Sequence, residues 1–327
     1  MFNVLVTTVP FGQNNLLPIE LLETAGVNYI INPLNKKLTE NELADMVSDI
    51  DLIIAGTEVI SDFVMSKAKR LKMISRVGIG LDGVDLIAAK KRGISVSYTP
   101  DAPAPAVAEL TIGLLITLLR SVQVSNMQMH QGKWNRLFGK RIADTTIGVI
   151  GLGRIGSRVL NRLAVFGTPR LLVNDISPSN DLSNKFKLEW VDKETIYKES
   201  DAISLHVPLT KATKNMITKK ELRSMKSDAI LINTCRGGII NEKDLYSVMK
   251  SGHLSGAAID VFEEEPYNGK LREIERCILT AHMGSMSIDC RTRMEIEATE
   301  EAVRFVKGEA LLSKVPSEEY DVQSEGL

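Results

Sequence analysis

An α/β protein built from two doubly wound parallel sheets is predicted by three observations. Short β-branched runs alternate with helical patterns from residue 3 onward, which is how parallel strands with crossover helices read. The alternation breaks at a proline-rich stretch, TPDAPAPAVAEL, and resumes at Thr146. The chain has 327 residues, enough for about two domains of ordinary size without help from disulfides or metals.

The first series predicts strands at 3–8, 27–32, 51–55, 73–77 and 94–97, with helices at 18–25, 40–47 and 62–68 among them. Runs such as DLIIA are apolar on successive residues, as in a strand buried on both faces. Pro100, Pro103 and Pro105 disfavour a helix interior, so a domain crossing is placed there. The next segment, 107–120, is apolar all round and predicts a buried helix. A second series predicts six strands, at 146–150, 171–174, 202–206, 229–233, 257–261 and 277–280. A helix at 288–307 then has nothing of its own to pack on and is expected to return to the first domain. The expected domains are therefore 1–99 plus 286–327 and 100–285. Four acids and one lysine in 313–327 predict a disordered tail.

Composition narrows the function classes. Forty Lys and Arg balance 41 Asp and Glu, so no basic excess points to nucleic acid or an anionic membrane surface as partner. Cys235, Cys277 and Cys290 form no CxxC pair and no metal-ligand spacing, which predicts a reducing compartment and no metal. The amino terminus lacks the basic region of a signal peptide, and the apolar run 110–119 is about half a membrane span. A cytoplasmic protein is expected.

GLGRIG, residues 151–156, follows the apolar strand TTIGVI and leads into an amphipathic run at 158–166. Gly151 permits a tight turn, Gly153 admits a pyrophosphate close to the backbone, and Gly156 lets the helix pack closely. Unpaired N–H groups at the helix start would then face the phosphates. Asp175 ends the next strand, about twenty residues on, where an acid hydrogen-bonds the adenosine ribose. A carboxylate there repels a 2′-phosphate and no Arg follows it, so NAD is favoured over NADP. Further polar residues sit at the carboxyl ends of later strands, where ligands gather in such sheets: His206 and Pro208, Thr234 to Arg236, Asp260, and His282.

Hydride exchange with a hydroxyl or keto carbon needs a cation to hold the substrate and polarise its carbonyl, and an acid/base near neutrality for the proton. Arg236, in INTCRGG, suits the first task through its planar fork. Of four histidines, His282 in LTAHMG is best placed for the second. A carboxylate beside it would favour the imidazolium, and DVFEEEP offers Glu263, Glu264 and Glu265 without choosing among them.

GLGRIG with its distal acid, HVPLT, NTCRGG, AIDVFEEEP and LTAHMGS, in this order and spacing, resemble the D-isomer-specific 2-hydroxyacid dehydrogenases, especially their phosphoglycerate dehydrogenase-like branch. RVGIGLDGVD and VAELTIGLLI extend the resemblance toward the amino terminus. It implies a Rossmann NAD-binding domain inserted into a flavodoxin-like substrate domain. It implies an NAD-dependent enzyme moving hydride between nicotinamide and a small D-2-hydroxyacid or 2-keto acid, 3-phosphoglycerate among them, with glyoxylate or hydroxypyruvate reduction as the alternative. Arg236 would bind substrate, His282 exchange the proton, and Glu265, just before Pro266, support it. Gly151, Gly153, Arg154, Ile155, Gly156, Asp175, His206, Val207, Pro208, Thr234, Cys235, Arg236, Asp260, His282 and Gly284 would line the cofactor. Arg76, Val77, Gly78 and Ile79 would meet the substrate, and residues 120–141 would contribute to a homodimer. Phosphoglycerate dehydrogenases usually carry an Arg after the third strand, where this chain has Ala55 and Gly56. Two other readings compete: an NAD-sensing co-repressor of the same fold, and a Rossmann methyltransferase, which leaves Arg236, Glu265 and His282 unexplained.

Overall fold

A computed structural model of the chain describes residues 1–167 and 169–324. These divide into two compact units, Met1–Pro103 with the return segment from Met286, and Ala104–Ser285. The first carries five parallel strands, β1 (Asn3–Val6), β2 (Asn28–Ile31), β3 (Leu52–Ala55), β4 (Met73–Arg76) and β5 (Ser95–Ser97), in the order β2-β1-β3-β4-β5. That is the flavodoxin-like order. Strands β3 and β4 are buried at every position, β3 as its unbroken apolar run LIIA requires and β4 with Ser75 and Arg76 buried alongside Met73 and Ile74. Leu5, Ile53, Ile74 and Val96 pack from the sheet against Leu43, Val64 and Leu86 of the helices. Ser61 and Asp85 cap two of those helices, and Thr39 forms a capping box with Glu42 on a third. The helix Ile288–Val306 returns to this sheet, burying Cys290, Met294 and Ala298, with Ser75 Oγ donating to Ala298 O at 2.7 Å.

The tail corrects the expectation of disorder. Ser97 bridges Lys314, Val315 is buried, and a helix, Ser317–Ser324, follows. Gln323 ties it down, accepting from Leu86 N at 2.6 Å and donating to Val84 O at 2.8 Å. Low apolar content hid this because the anchoring is done by one buried valine, a half-buried tyrosine, Tyr320, a backbone pair at the edge of β5, and an amide side chain. Residues 325–327 of that expectation lie outside the described residues.

The second unit carries seven parallel strands rather than six: β6 (Thr146–Ile150), β7 (Arg170–Asn174), β8 (Leu188–Trp190), β9 (Ala202–Leu205), β10 (Ile230–Asn233), β11 (Gly256–Ile259) and β12 (Cys277–Leu279). Their order is β12-β11-β10-β9-β6-β7-β8. The missed strand, β8, is a three-residue edge strand paired only with β7, too short to leave a periodic pattern. The order reverses at β6, whose neighbours are β7 and β9, so the crevice beyond its carboxyl end is the ligand position of such a sheet. Separate apolar cores cover its two faces.

Two helix boundaries also differ from expectation. The apolar helix begins at Ala104, not 107, because Pro105 lies in its first turn, where no N–H is required. It packs on the helix Arg154–Leu163, which itself starts inside GLGRIG rather than at 158. Among the described residues no single helix is long and apolar enough to cross a membrane.

Candidate active site

Strand register brings the predicted residues to one edge of the second unit's sheet. Ile150 pairs with Asn174 on one side and Leu205 on the other; Leu205 pairs with Asn233, Asn233 with Ile259, and Ile259 with Leu279. The glycine turn, Asp175, His206, Arg236, Asp260, Glu265 and His282 therefore all leave the sheet at the same level.

The glycine turn has the form a dinucleotide needs. Gly151 has φ +93°, and a Cβ there or on Gly156 would collide with backbone, of His206 and Gly151 respectively. Nothing stands within 4 Å of a Cβ built on Gly153, so space is open before the ten-residue helix Arg154–Leu163. Asp175 accepts from Leu152 N at 2.6 Å and Ser177 N at 2.8 Å, which clamps the carboxylate against the turn. A carboxylate offers about four lone pairs, so two remain for a ribose diol. His206 donates to or accepts from Ser204 Oγ through Nε2 at 2.8 Å, and its Nδ1 is buried without a partner. Burial pushes its pKa down to about 3, which keeps the ring neutral beside the turn. These residues fit NAD. Arg154 is exposed at the helix start and Ile155 is partly buried; Val207 is half-buried and Pro208 exposed on the segment beyond β9.

Thr234 and Cys235 are placed differently. Thr234 shares a hydrogen bond with Thr111 at 2.9 Å, and the Cys235 thiol donates to Asn233 Oδ1 at 2.9 Å. Both side chains are buried, so only backbone could serve a cofactor there; burial pushes the Cys235 thiol up to about 11.

Asn233 organises the loop that carries Arg236. Its Oδ1 accepts from Cys235 N at 3.1 Å and its Nδ2 donates to Arg236 O at 2.9 Å. Arg236 itself is half-buried, with Nη1 donating to Cys235 O at 2.6 Å. A Cβ on the next residue, Gly237, would collide with Phe262 backbone, so the arginine turn abuts the loop bearing the three acids.

Geometry decides among those acids. His282 Nδ1 donates to Glu265 at 2.9 Å (Oε2) and 3.1 Å (Oε1), whereas Glu263 and Glu264 are exposed. Glu265 Oε1 also accepts from Phe262 N at 3.2 Å. With Nδ1–H committed to the carboxylate, Nε2 is the ring nitrogen turned outward, and 42% of the histidine side chain remains exposed. His282 has φ +48°, a left-handed conformation costing about 1 kcal/mol in a non-glycine residue. Its N–H donates to Asp260 O at 2.8 Å and Thr280 O at 3.0 Å. The Asp260 carboxylate accepts from Thr280 Oγ1 at 2.6 Å, Met283 N at 2.8 Å and Gly284 N at 2.9 Å. Asp260 thus builds the histidine loop, and burial raises its pKa while those bonds lower it.

In the first unit, Val77 N donates to Ala55 O at 2.9 Å and Gly78 N to Thr99 Oγ1 at 2.8 Å, which leaves Ile79 as the residue of that trio whose amide is not so committed. Arg76 is buried, its Nη1 turned onto Val77 O and Ala55 O. Glu58, a buried carboxylate unremarked in the sequence, accepts from Gly56 N at 2.9 Å and from Thr7 Oγ1. Sequence reading also passed over Asn233, although an Asn at a strand end is an Asx-turn signal. Glu242 gave no signal, being an acid in a helix first turn like many others.

Comparison with known proteins shows the family. Residues 112–284 match the sequence model described as D-isomer specific 2-hydroxyacid dehydrogenase, NAD binding domain. A hydroxypyruvate reductase of Thermotoga maritima is 37% identical over 274 residues, 81% of this chain and 88% of that one. A D-3-phosphoglycerate dehydrogenase of Methanocaldococcus jannaschii is 37% identical over 315 residues, 94% of this chain and 58% of that one. Among solved structures, D-lactate dehydrogenase from Aquifex aeolicus, complexed with NAD and lactic acid, superposes with a TM-score of 0.84 at 29% identity. That match covers 94% of this chain and 96% of the other.

Proposed function

The chain belongs to the D-isomer-specific 2-hydroxyacid dehydrogenases, and from that premise we propose that Arg236, Glu265 and His282 perform its substrate chemistry. It is an NAD-dependent oxidoreductase of small D-2-hydroxyacids and 2-keto acids. NAD, which the glycine turn and Asp175 would hold, would supply the hydride chemistry in both directions. The observation that carries the assignment is the bond from His282 Nδ1 to Glu265, which leaves Nε2 to exchange the proton. In reduction Nε2 protonates the carbonyl oxygen, and in oxidation it takes the hydroxyl proton. The Glu265 carboxylate stabilises the imidazolium between those events. Arg236 pairs with the substrate carboxylate and polarises the carbonyl. Gly151, Gly153, Arg154, Ile155 and Gly156 take the pyrophosphate, and Asp175 takes the adenosine ribose.

The substrate is an unphosphorylated acid of the size of glyoxylate or hydroxypyruvate. No cation follows β3, where Ala55, Gly56 and Thr57 stand, Glu58 adds a carboxylate, and the Arg76 guanidinium is turned onto backbone carbonyls. A screen by NADH absorbance tests this with glyoxylate, hydroxypyruvate, pyruvate and 3-phosphohydroxypyruvate, each with NADH and NADPH. A phosphate lacking its charged partner should lower kcat/KM at least about tenfold against hydroxypyruvate. NADPH, facing Asp175, should run at least about a hundredfold below NADH. A preference for the phosphorylated acid would overturn the substrate assignment, and activity with NADPH alone would overturn the role of Asp175.

The partner is a second copy of the chain. The helix Val122–His130 has no buried residue, and the segment after it exposes Trp134 (75%) and Phe138 (103%). Large apolar side chains so displayed on an irregular segment beside an unburied helix mark an interaction surface. Light scattering on the full chain at about 10 µM should give twice the 36.0 kDa chain mass. Trp134→Asp with Phe138→Asp should halve it; a wild-type monomer would remove the dimer.

A further inference from the structure

The loop that delivers Glu265 is itself held by a carboxylate that belongs to none of the recognised motifs. Asn241 Oδ1 accepts from Asp244 N at 3.0 Å and caps the helix Glu242–Lys250, which puts Glu242 at the helix's first residue. From there Glu242 Oε1 accepts from Glu263 N at 2.8 Å. Glu263 lies between Phe262, whose N–H reaches Glu265, and Glu265 itself. Phe262 is stacked on Tyr267, centroids 4.1 Å apart, and its backbone fills the space where Gly237 has no Cβ. One backbone amide therefore connects the start of the helix Glu242–Lys250 to the short loop between the Arg236 turn and the His282 partner.

Its energetics set it apart from an ordinary helix-start acid. Burial pushes the Glu242 carboxyl above its ordinary pKa, the Glu263 N–H draws it back, and the negative charges of Glu263 and Glu265 raise it again. A helix N-terminus alone would be satisfied by an exposed acid. Here a carboxylate is kept half-buried against two like charges, a disfavoured arrangement that the hydrogen bond to the loop offsets.

Resting on the assignment of Glu265 and His282 above, we propose that Glu242 is a positioning residue for that pair: by holding the Glu263 N–H it sets the loop from which Glu265 orients the imidazole. Small displacements of a proton-exchanging group weigh on the chemical step far more than on cofactor affinity, because reacting atoms must meet within a few tenths of an ångström.

The test uses the purified full chain and three substitutions. E242Q keeps an acceptor at the same reach. E242D keeps the charge and suits a helix start but is one methylene short. E242A removes both. Amide hydrogen exchange without substrate, read over residues 261–267, should match wild type in E242Q and be at least about tenfold faster in E242D and E242A. Exchange over the rest of the second unit should stay unchanged, which separates a loosened loop from a misfolded protein. With hydroxypyruvate and NADH, kcat should stay within about threefold in E242Q and fall about ten- to thirtyfold in E242D and E242A, with KM for NADH unmoved. Wild-type kcat in E242D, or loop exchange in E242Q as fast as in E242A, would overturn the proposal. If the wild-type protein reduced no 2-keto acid, the reading of the active site would fall, and the exchange arms would still decide whether Glu242 holds the loop.

Discussion

His282→Ala is expected to lower kcat for 2-keto acid reduction about a thousandfold, with the NADH dissociation constant, read by fluorescence, moving less than about threefold. The imidazole is attached through Nδ1 to Glu265, at 2.9 Å, and its own strained backbone is fixed by Asp260 and Thr280, so little of its surroundings depends on the side chain itself. On the role proposed for it, removing the imidazole would delete the proton exchange and leave the glycine turn intact. Glu265→Gln grades the same effect. The amide keeps the ring's partner but not the negative charge that favours the imidazolium, so a fall of about ten- to a hundredfold is expected. A His282→Ala protein within tenfold of wild-type kcat would show that another group moves the proton.

Arg236→Ala should cost kcat/KM about a thousandfold, and Arg236→Lys nearly as much, in steady-state assays with hydroxypyruvate. A bidentate pair with a carboxylate in a partly desolvated site contributes a few kcal/mol, and lysine cannot reproduce the fork. The guanidinium is half-buried and anchored on Cys235 O, while Asn233 brackets the loop from both sides, so its position is set before any substrate arrives. On the role proposed for Arg236, binding the acid and polarising its carbonyl, the loss should appear in both kcat and KM. Full activity in Arg236→Lys would mean that a point charge suffices and that the forked geometry is not used.

Much of this was written in the chain. Parallel-sheet architecture follows from alternating β-branched runs and helical patterns, because a strand buried on two faces leaves a local apolar signature. GLGRIG and Asp175 are legible for a related reason: a tight turn, a close approach and a helix start each demand glycine at a position the neighbouring residues define. The misses share the opposite cause. Strand Leu188–Trp190 is only three residues long, and the tail around Val315 is held by partners distant in sequence, so neither leaves a local pattern. Pro105 misled because proline's rule depends on where the helix begins, which capping and packing decide.

The sequence by itself determined which chemistries were on offer: a phosphate-facing turn, an acid for the ribose, an arginine, and a histidine among four. Family resemblance singled out Glu265 from the sequence; seating it against the His282 ring, giving that ring its outward Nε2, turning Thr234 and Cys235 inward and setting Glu242 against Glu263 N were left to the tertiary structure. Hydrogen bonds discriminate over tenths of an ångström. Three consecutive acids are equivalent as letters, and become different only when strand register sets one of their carboxylates against an imidazole from the neighbouring strand's end.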